Sequence, residues 1–364
     1  MGRSAPGVVH RPNRLTRVGS VERYGRVSPL AVIGWSGVAM LLVMAFLSAL
    51  AALNQTLYGA GSFIERYLEE IGNDEITLAA TTPGVALDPV GLEALGLPAD
   101  VSTAMLRSGV VAAGPEDVRI TADETHDDGT HTVTASYRLG DTITETAFEV
   151  EPIAPLYGVL NRWGFATSPL AVIDVTAAHY PLFTVGELQL DTRARKTGDE
   201  LAAFTQTAPY LAIAPAVYSF SYDDILLTAQ EVESVLAPST RAGVTVDSQP
   251  TPAFVERVQR QLDQYLDECA TQQVLQPTGC PFGEDVDDRV VGDPSWSIAT
   301  YPTVTLIPGE TAFDMPETEG VAHLSVEVQS LFDGEVSQLE RDSTFHVALS
   351  ATIQPDGSIA VQLE

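Results

Sequence analysis

The chain has 364 residues and a formal net charge of −30, from 49 acidic and 19 basic side chains. Such a surface repels the anionic backbone of nucleic acids, so nucleic-acid binding is excluded and cations or basic partners are favoured. High acidity also keeps a protein soluble, and that simpler interpretation stays open. The length leaves room for two or three domains with cores of their own.

Residues 1–29 form a basic segment. Six arginines and one glutamate give it a formal charge of +5, which leaves −35 for the rest of the chain. The segment has no apolar period, so it is predicted to be a disordered tail. Because positive flanks stay on the inner side of a membrane, we expect this tail in the cytoplasm.

Residues 30–53 are predicted to form a transmembrane helix. Their sequence, LAVIGWSGVAMLLVMAFLSALAAL, contains no charged residue. A helix of this length covers ~36 Å, enough to cross a hydrocarbon core of ~30 Å. We therefore expect a single-pass plasma-membrane protein that contacts lipid through this helix and carries residues 54–364 outside the cytoplasm.

Two other interpretations of residues 30–53 were weighed. Ala49, Leu50 and Ala51 form an A-x-A site, so a cleaved signal peptide is the alternative, although the apolar stretch is longer than a usual signal core. A soluble core helix is disfavoured, because the segment has no polar stripe to present to water.

Residues 54–168 change from a helical to an alternating pattern. Ser62 and Glu65 fit a capping box at the start of a helix that ends at Gly72, and shorter helical patterns follow at 77–80 and 100–108. The predicted strands cover 118–122, 133–139 and 143–150, with a turn at Asp128-Gly129 and a last strand that contains Trp163.

Three runs within this region, FIERYLEEIGNDEITLAATTPG, VTASYRLGDTITETAFEV and NRWGF, resemble the NTF2-like domains of bacterial envelope proteins and lipoproteins. The resemblance implies an α+β cone over about 61–167, whose curved sheet can enclose a pocket. Enzymes of that superfamily place Asp and His in the pocket, and this sequence offers no such inward pair.

The pattern of residues 169–238 predicts an all-β domain. Short apolar runs alternate with Pro, Gly and charged turns at the spacing of a small Ig-like β-sandwich. The runs are 170–175, 183–190, 201–206, 210–221 and 225–227. Such domains are often spacers or contact surfaces, so no function follows from the pattern.

Residues 239–364 are predicted to form an α+β domain in which one helix covers an antiparallel sheet. The domain opens with a strand at 243–246, and Thr251 then caps a helix that has Pro252 in its first position. The later strands are predicted at 296–307, 312–315, 321–331, 344–353 and 359–363.

Cys269 and Cys280 are the only cysteines of the chain. An exported compartment and an even count favour a disulfide between them, and the closed loop would contribute ~3 kcal/mol. Metal ligation is the alternative, but no histidine lies nearby in the sequence.

The runs RVQRQLDQYLDECATQQVLQPTGCPFG, DPSWSIATYPTVTLIPG, GVAHLSVEVQSLFDGEV and PDGSIAVQLE resemble the C-terminal module of single-span actinobacterial envelope proteins that have no assigned activity. The layout is similar, more loosely, to that of TcaA-type proteins of Gram-positive bacteria. Those proteins commonly carry a cysteine-rich zinc ribbon at the cytoplasmic end, which this chain lacks.

Two clusters could hold a metal ion. His126 and His131 flank the turn with Asp127 between them, and the alternative is an exposed polar turn. An acidic run could hold a hard cation, but its spacing does not match an EF-hand. The run consists of Glu284, Asp285, Asp287, Asp288 and Asp293.

No motif for nucleophilic catalysis, nucleoside triphosphates or dinucleotides is found in the sequence. His323 and His346 are expected at outward strand positions, and His179 at a strand end without an evident partner. We assign no catalytic, cofactor-binding or metal residues. The sequence favours a non-catalytic interaction protein that binds cell-wall polymer or another envelope protein. The alternative is a small-ligand receptor or enzyme that uses the cone of the first domain.

Overall fold

The structure, a computed structural model, describes residues 29–195 and 204–363. The chain divides into two units, Met1–Gln55 and Thr56–Glu364. The predicted tail, apart from residue 29, lies outside the described residues.

The first described element is the helix α1, Pro29–Thr56. Its segment Gly34–Thr56 is, among the described residues, the one helix long and apolar enough to cross a membrane. Side chains from residue 34 to residue 49 are exposed on every face. An apolar surface of this kind suits a hydrocarbon environment. The predicted apolar helix is therefore confirmed.

The second unit is mostly β and begins with three helices and a four-stranded antiparallel sheet in the order β1-β2-β3-β4. The elements are α2 (Ala60–Gly72), α3 (Ile76–Ala80), α4 (Pro89–Ala94), β1 (Pro115–Thr125), β2 (His131–Leu139), β3 (Thr142–Leu156) and β4 (Leu160–Phe165). The apolar face of α2 is buried on this sheet, while Glu65 and Glu69 are exposed.

Two of the predicted helix signals in this region are wrong. α2 begins at Ala60 after Gly59 and has no side-chain cap, and the Ser62 hydroxyl instead donates to the Thr56 carbonyl at 2.7 Å. Residues 100–108 form no helix, because the Ser102 carbonyl accepts a hydrogen bond from the Leu211 amide at 2.9 Å and so pairs this loop with a later strand. The helix lies earlier, at α4.

Eight strands follow in two sheets. Their bounds are β5 (Ala171–Ala178), β6 (Leu182–Val185), β7 (Leu188–Asp191), β8 (Gln206–Ala212), β9 (Ala216–Asp223), β10 (Leu227–Leu236), β11 (Arg241–Asp247) and β12 (Gln249–Pro250). One sheet has the order β12-β10-β9-β6-β7 and the other β11-β5-β8. The rings of Phe183 and Tyr210 join the two sheets, with centroids 5.6 Å apart.

The strand predicted at 243–246 as the opening of the last domain belongs instead to the three-stranded sheet. As β11 it runs parallel to β5, and Arg241 donates two hydrogen bonds to the Asp174 carboxylate at 2.7 and 2.9 Å. Pairing between strands so far apart in sequence leaves no local signal. The predicted run 210–221 is interrupted after Ala212, and residues 201–203 lie outside the described residues.

The last elements are one helix and a six-stranded sheet. They are α5 (Pro252–Ala270), β13 (Arg289–Val290), β14 (Ser295–Thr300), β15 (Ile307–Pro308), β16 (Phe313–Gln329), β17 (Val336–Ile353) and β18 (Ile359–Leu363). Thr251 caps α5 as predicted. The predicted strands 312–315 and 321–331 form one strand, β16, which continues past a bulge near Thr318.

Candidate functional site

The space between α2 and the first sheet is occupied by aromatic rings. Phe165 lies 4.8 Å from Tyr67 and 5.1 Å from Phe63, measured between ring centroids, and Phe148 lies 6.1 Å from Phe165. The Tyr67 hydroxyl donates to the Ala214 carbonyl at 2.7 Å, and burial raises the pKa of Tyr67 well above its usual value. These side chains form a packed core at the position where the sequence suggested a cone with a pocket.

A cleft in the second unit lies elsewhere. It has a volume of about 710 Å³ and lies between the loop 98–104, the segment 190–194 and strand β8. This volume falls in the range of small-molecule sites, roughly 300–1,000 Å³. Val101, Leu190 and Tyr210 contribute apolar wall.

A carboxylate at the cleft is already paired. Asp191 accepts hydrogen bonds from Arg193, from Nε at 3.0 Å, from Nη2 at 2.8 Å and from the backbone amide at 2.8 Å. Burial alone would raise the pKa of Asp191, but the hydrogen bonds and charge of Arg193 outweigh it and leave that pKa lowered. The carboxylate therefore acts as a fixed acceptor for Arg193, and a general base would need a higher pKa. The local sequence D-x-R was the available signal for this pair.

The two histidines at the first hairpin turn have separate partners. His131 Nδ1 lies 2.6 Å from Asp123 Oδ1, and its ring lies 4.6 Å from that of Trp163. His126 Nε2 contacts Thr132 Oγ1 at 2.8 Å. Within the described parts of the chain, no group of three or more His, Cys, Asp or Glu side chains could hold a metal ion.

His179 has a partner that the sequence did not indicate. Its Nδ1 lies 2.8 Å from Asp247 Oδ1, and its ring lies 5.2 Å from Phe204 and 6.3 Å from Phe313. Asp247 ends β11, so the pair forms only because β11 joins the sheet of β5, which ends at Ala178.

His323 lies at an outward position of β16, as predicted. Its Nδ1 is 2.7 Å from Asp342 Oδ1 and its Nε2 is 2.8 Å from Glu340 Oε2, both on β17. The pKa of His323 is raised most by its hydrogen bond to Asp342 and next by its hydrogen bond to Glu340. The register of a long hairpin would have revealed this cluster, but the polar run in the first half of β17 gave no strand signal.

The cysteines and the acidic run lie in the α5 region. The sulfurs of Cys269 and Cys280 form a disulfide, 2.03 Å apart, in the pairing that the sequence predicts. The acidic side chains near it diverge: Glu284 accepts from Arg341 at 2.6 Å, and Asp288 accepts from the Leu331 amide at 3.2 Å. Glu284 and Asp288 therefore accept hydrogen bonds from different partners and do not converge on one point.

The cleft lined by β8 has the dimensions of a ligand site, and its carboxylate Asp191 is paired within the protein. Comparison of the chain with protein-family models, with curated proteins and with solved structures gives no match.

Proposed function

We propose that the chain is a membrane-anchored, non-catalytic interaction or adaptor protein of a bacterial, specifically actinobacterial, cell envelope. Residues 56–364 would then work outside the cytoplasm, and the fold proposed for them comprises an NTF2-like region, an Ig-like sandwich and a C-terminal helix-on-sheet region. The observation that carries the proposal is α1, whose segment Gly34–Thr56 is long and apolar enough to span a membrane and is followed by one compact unit.

Two features support the non-catalytic part of the proposal. The interior beneath α2 is filled by rings such as Tyr67 and Phe165, so a substrate pocket there would require displacement of core side chains. The acid and base pairs, Asp191 with Arg193 and His323 with Asp342, bind each other. Both ring nitrogens of His323 are hydrogen-bonded, to Asp342 and to Glu340, so neither is left to exchange a proton with a substrate.

The orientation rests on charge and on the cysteines. The first 29 residues contain six arginines and one glutamate beside the apolar segment, which favours the N-terminus in the cytoplasm. The Cys269–Cys280 disulfide suits an oxidising compartment outside the membrane.

Protease added to intact, wall-stripped cells tests this orientation. We expect digestion of the bulk of the chain and protection of a short fragment that contains α1 and the basic segment. Protection of residues 56–364 in intact cells, with digestion only after lysis, would contradict the proposal. A cytoplasmic protein of the same cells serves as the integrity control.

The partner is proposed to be cell-wall polymer or another envelope protein. The cleft offers a way to test this, because the exposed Ala194 lies at its rim and Ala194→Trp would obstruct it. Crosslinking in whole cells should give a product that is reduced by Ala194→Trp and unchanged by Ala166→Trp, a substitution at an exposed alanine away from the cleft lining.

The volume of the cleft also favours a second candidate, a small-ligand receptor. That function predicts a small molecule that co-purifies with the protein and is detected by native mass spectrometry. The ligand should be lost in Ala194→Trp and retained in Ala166→Trp. Retention of one ligand by both variants would place it outside the cleft.

A further inference from the structure

The turn between β3 and β4 exposes an unusual set of apolar side chains. Residues 152–160, PIAPLYGVL, contain no charged residue. Tyr157 is 87 % exposed, Leu156 39 % and Val159 48 %. The backbone turns tightly, with Tyr157 at φ 51° and Gly158 at φ 74°, and the Val159 amide donates to the Leu156 carbonyl at 3.2 Å. Positive φ at two successive turn residues favours Asn-Gly, so the fold itself does not require an aromatic side chain at this apex.

Behind this turn lies a recess of about 230 Å³. Two arginines, Arg66 from α2 and Arg162 from β4, line it, together with Tyr58 and Trp163, and its lining includes no carboxylate. The side chain of Arg66 is 63 % exposed and lies 3.8 Å from Glu70. In a chain that carries −35 beyond its basic segment, a recess lined by two guanidinium groups, of which one is paired with Glu70 outside the lining, is locally less acidic than the rest of the chain.

The chain itself places this recess near the candidate membrane span. Trp163 Nε1 donates to the Tyr58 carbonyl at 2.9 Å, and Tyr58 is the second residue after Thr56, where the span ends. At 3.8 Å per residue, Tyr58 cannot be more than ~8 Å from that end. Leu57, between them, is 64 % exposed and lines the same recess as Leu156.

We propose that this face is a second membrane contact, which docks on the phospholipid surface around the anchor. The turn face consists of Leu156, Tyr157 and Val159, and the arginine recess is lined by Arg66 and Arg162. The inference rests on the anchoring proposed above. Tyr and Trp are enriched at the membrane–water interface, and the guanidinium group binds phosphate in a bidentate manner. The turn face enters the interfacial layer, and the arginine recess binds the phosphates of lipid headgroups.

The depth of the turn can be measured on the full chain reconstituted in lipid nanodiscs. Tyr157→Cys is labelled with a nitroxide while the native disulfide stays oxidised. Phe332→Cys is the matched control, because Phe332 is 98 % exposed and lies at the turn between β16 and β17. Val43→Cys in α1 reports whether the anchor is inserted.

Power-saturation measurements with oxygen and a water-soluble nickel complex give the depth of each label. We expect lipid-like accessibility at positions 43 and 157 and water-like accessibility at 332. Water-like accessibility at 157 with an inserted label at 43 overturns this inference and leaves the anchoring intact; the turn face would then be a surface for a protein partner. Water-like accessibility at both 43 and 157 overturns the anchoring as well.

The arginine recess is tested in the same system. Arg66→Gln with Arg162→Gln should move the label at 157 toward the accessibility found at 332, and nanodiscs with anionic phosphatidylglycerol should hold it deeper than phosphatidylcholine alone. Arg107→Gln is the control: Arg107 is exposed and adjoins Ser108, whose hydroxyl donates to the Asp74 carbonyl beyond the far end of α2. An unchanged depth in the double variant overturns the role given to the arginines.

Discussion

Two regions of the molecule fix a helix on a sheet in different ways. In residues 60–165 and again in residues 252–363, one amphipathic helix packs on an antiparallel sheet. α5 has a side-chain cap, since Thr251 Oγ1 accepts from the Phe254 amide at 3.3 Å, and a disulfide joins its last turn to the following loop. α2 has neither: Gly59 precedes it without a side-chain cap, and no cysteine lies near it.

α2 is fixed instead by the close approach of two backbone segments at its C-terminal end. A Cβ atom on Gly114 would lie 2.7 Å from the Ile71 carbonyl oxygen, and one on Gly72 would lie 2.4 Å from the Pro115 carbonyl oxygen. α5 is thus defined by signals within its own segment, and α2 by contacts with residues that follow more than 40 positions later in the chain.

The largest effect is expected from Gly114→Ala. The new methyl group meets backbone atoms, which cannot rotate away, so α2 must separate from the start of β1. We expect a loss of about 4 kcal/mol in the free energy of unfolding, measured by denaturant titration of the full chain in detergent. Gly243→Ala is the control, because its nearest neighbour is an oxygen 4.0 Å away. Equal stability of the two variants would contradict the close-approach account.

Removal of the disulfide should have the next largest effect. Cys280→Ser opens a loop with a sequence separation of 11, and the unfolded chain gains conformational freedom. We expect a loss of about 2–4 kcal/mol. Hydrogen exchange should show the greatest loss of protection in the amides of α5, and a smaller one in α2. Greater loss in α2 would mean that the disulfide does not act locally, and reduction of the wild-type protein should reproduce the substitution.

The caps of the two helices predict a smaller difference. Thr251→Ala removes the acceptor for the Phe254 amide and should cost about 1 kcal/mol. Ser62→Ala should cost less, because Ser62 lies inside α2 and its hydroxyl bonds to the Thr56 carbonyl at an exposed site. Thermal unfolding of both variants gives the comparison. A larger loss of stability in Ser62→Ala than in Thr251→Ala would contradict this account and favour Ser62 as the cap of α2.

The smallest effect concerns pH. The pKa of His323 is raised in the folded protein by Asp342 and Glu340, so its charged form stabilises the folded state. That stabilisation is fully present below the unfolded pKa, about 6.5, and is lost as the pH rises through the raised folded value. Unfolding temperatures should therefore decrease slightly over this range.

His323→Gln should remove this part of the pH dependence. His126→Gln is the matched control, since His126 bonds to the Thr132 hydroxyl and its substitution should leave the pH dependence in place. An identical pH profile in wild type and His323→Gln would show that the cluster on β16 and β17 makes no contribution.

The comparison of α2 and α5 also shows what the sequence could reveal. The start of α5 was predictable because Thr251 and Pro252 are local signals, and α1 because charge is absent from residues 30–53. The start of α2 was predicted incorrectly, since a plausible cap at Ser62 lies inside a helix whose position is set by packing.

The candidate site was less predictable than the fold. The cleft combines a loop, the end of β7 and strand β8, so no single segment carries its pattern. The partner of His179 depends on the parallel pairing of β11 with β5, across a span of about sixty residues. The sequence did not single out the turn of Tyr157, because its exposure is a property of the folded chain.

That parallel pair has a mechanical consequence. Tension between an anchor at Thr56 and a partner held by the C-terminal strands would reach β5 at its first residue, Ala171, and β11 at its last, Asp247. Force applied at opposite ends of two parallel strands acts in shear, so the inter-strand hydrogen bonds share the load and must yield together. Residues 179–240, which contain five of the eight strands of the middle sheets, lie in the chain between the two strands of this pair, so the pair must separate before the chain can be drawn out through them.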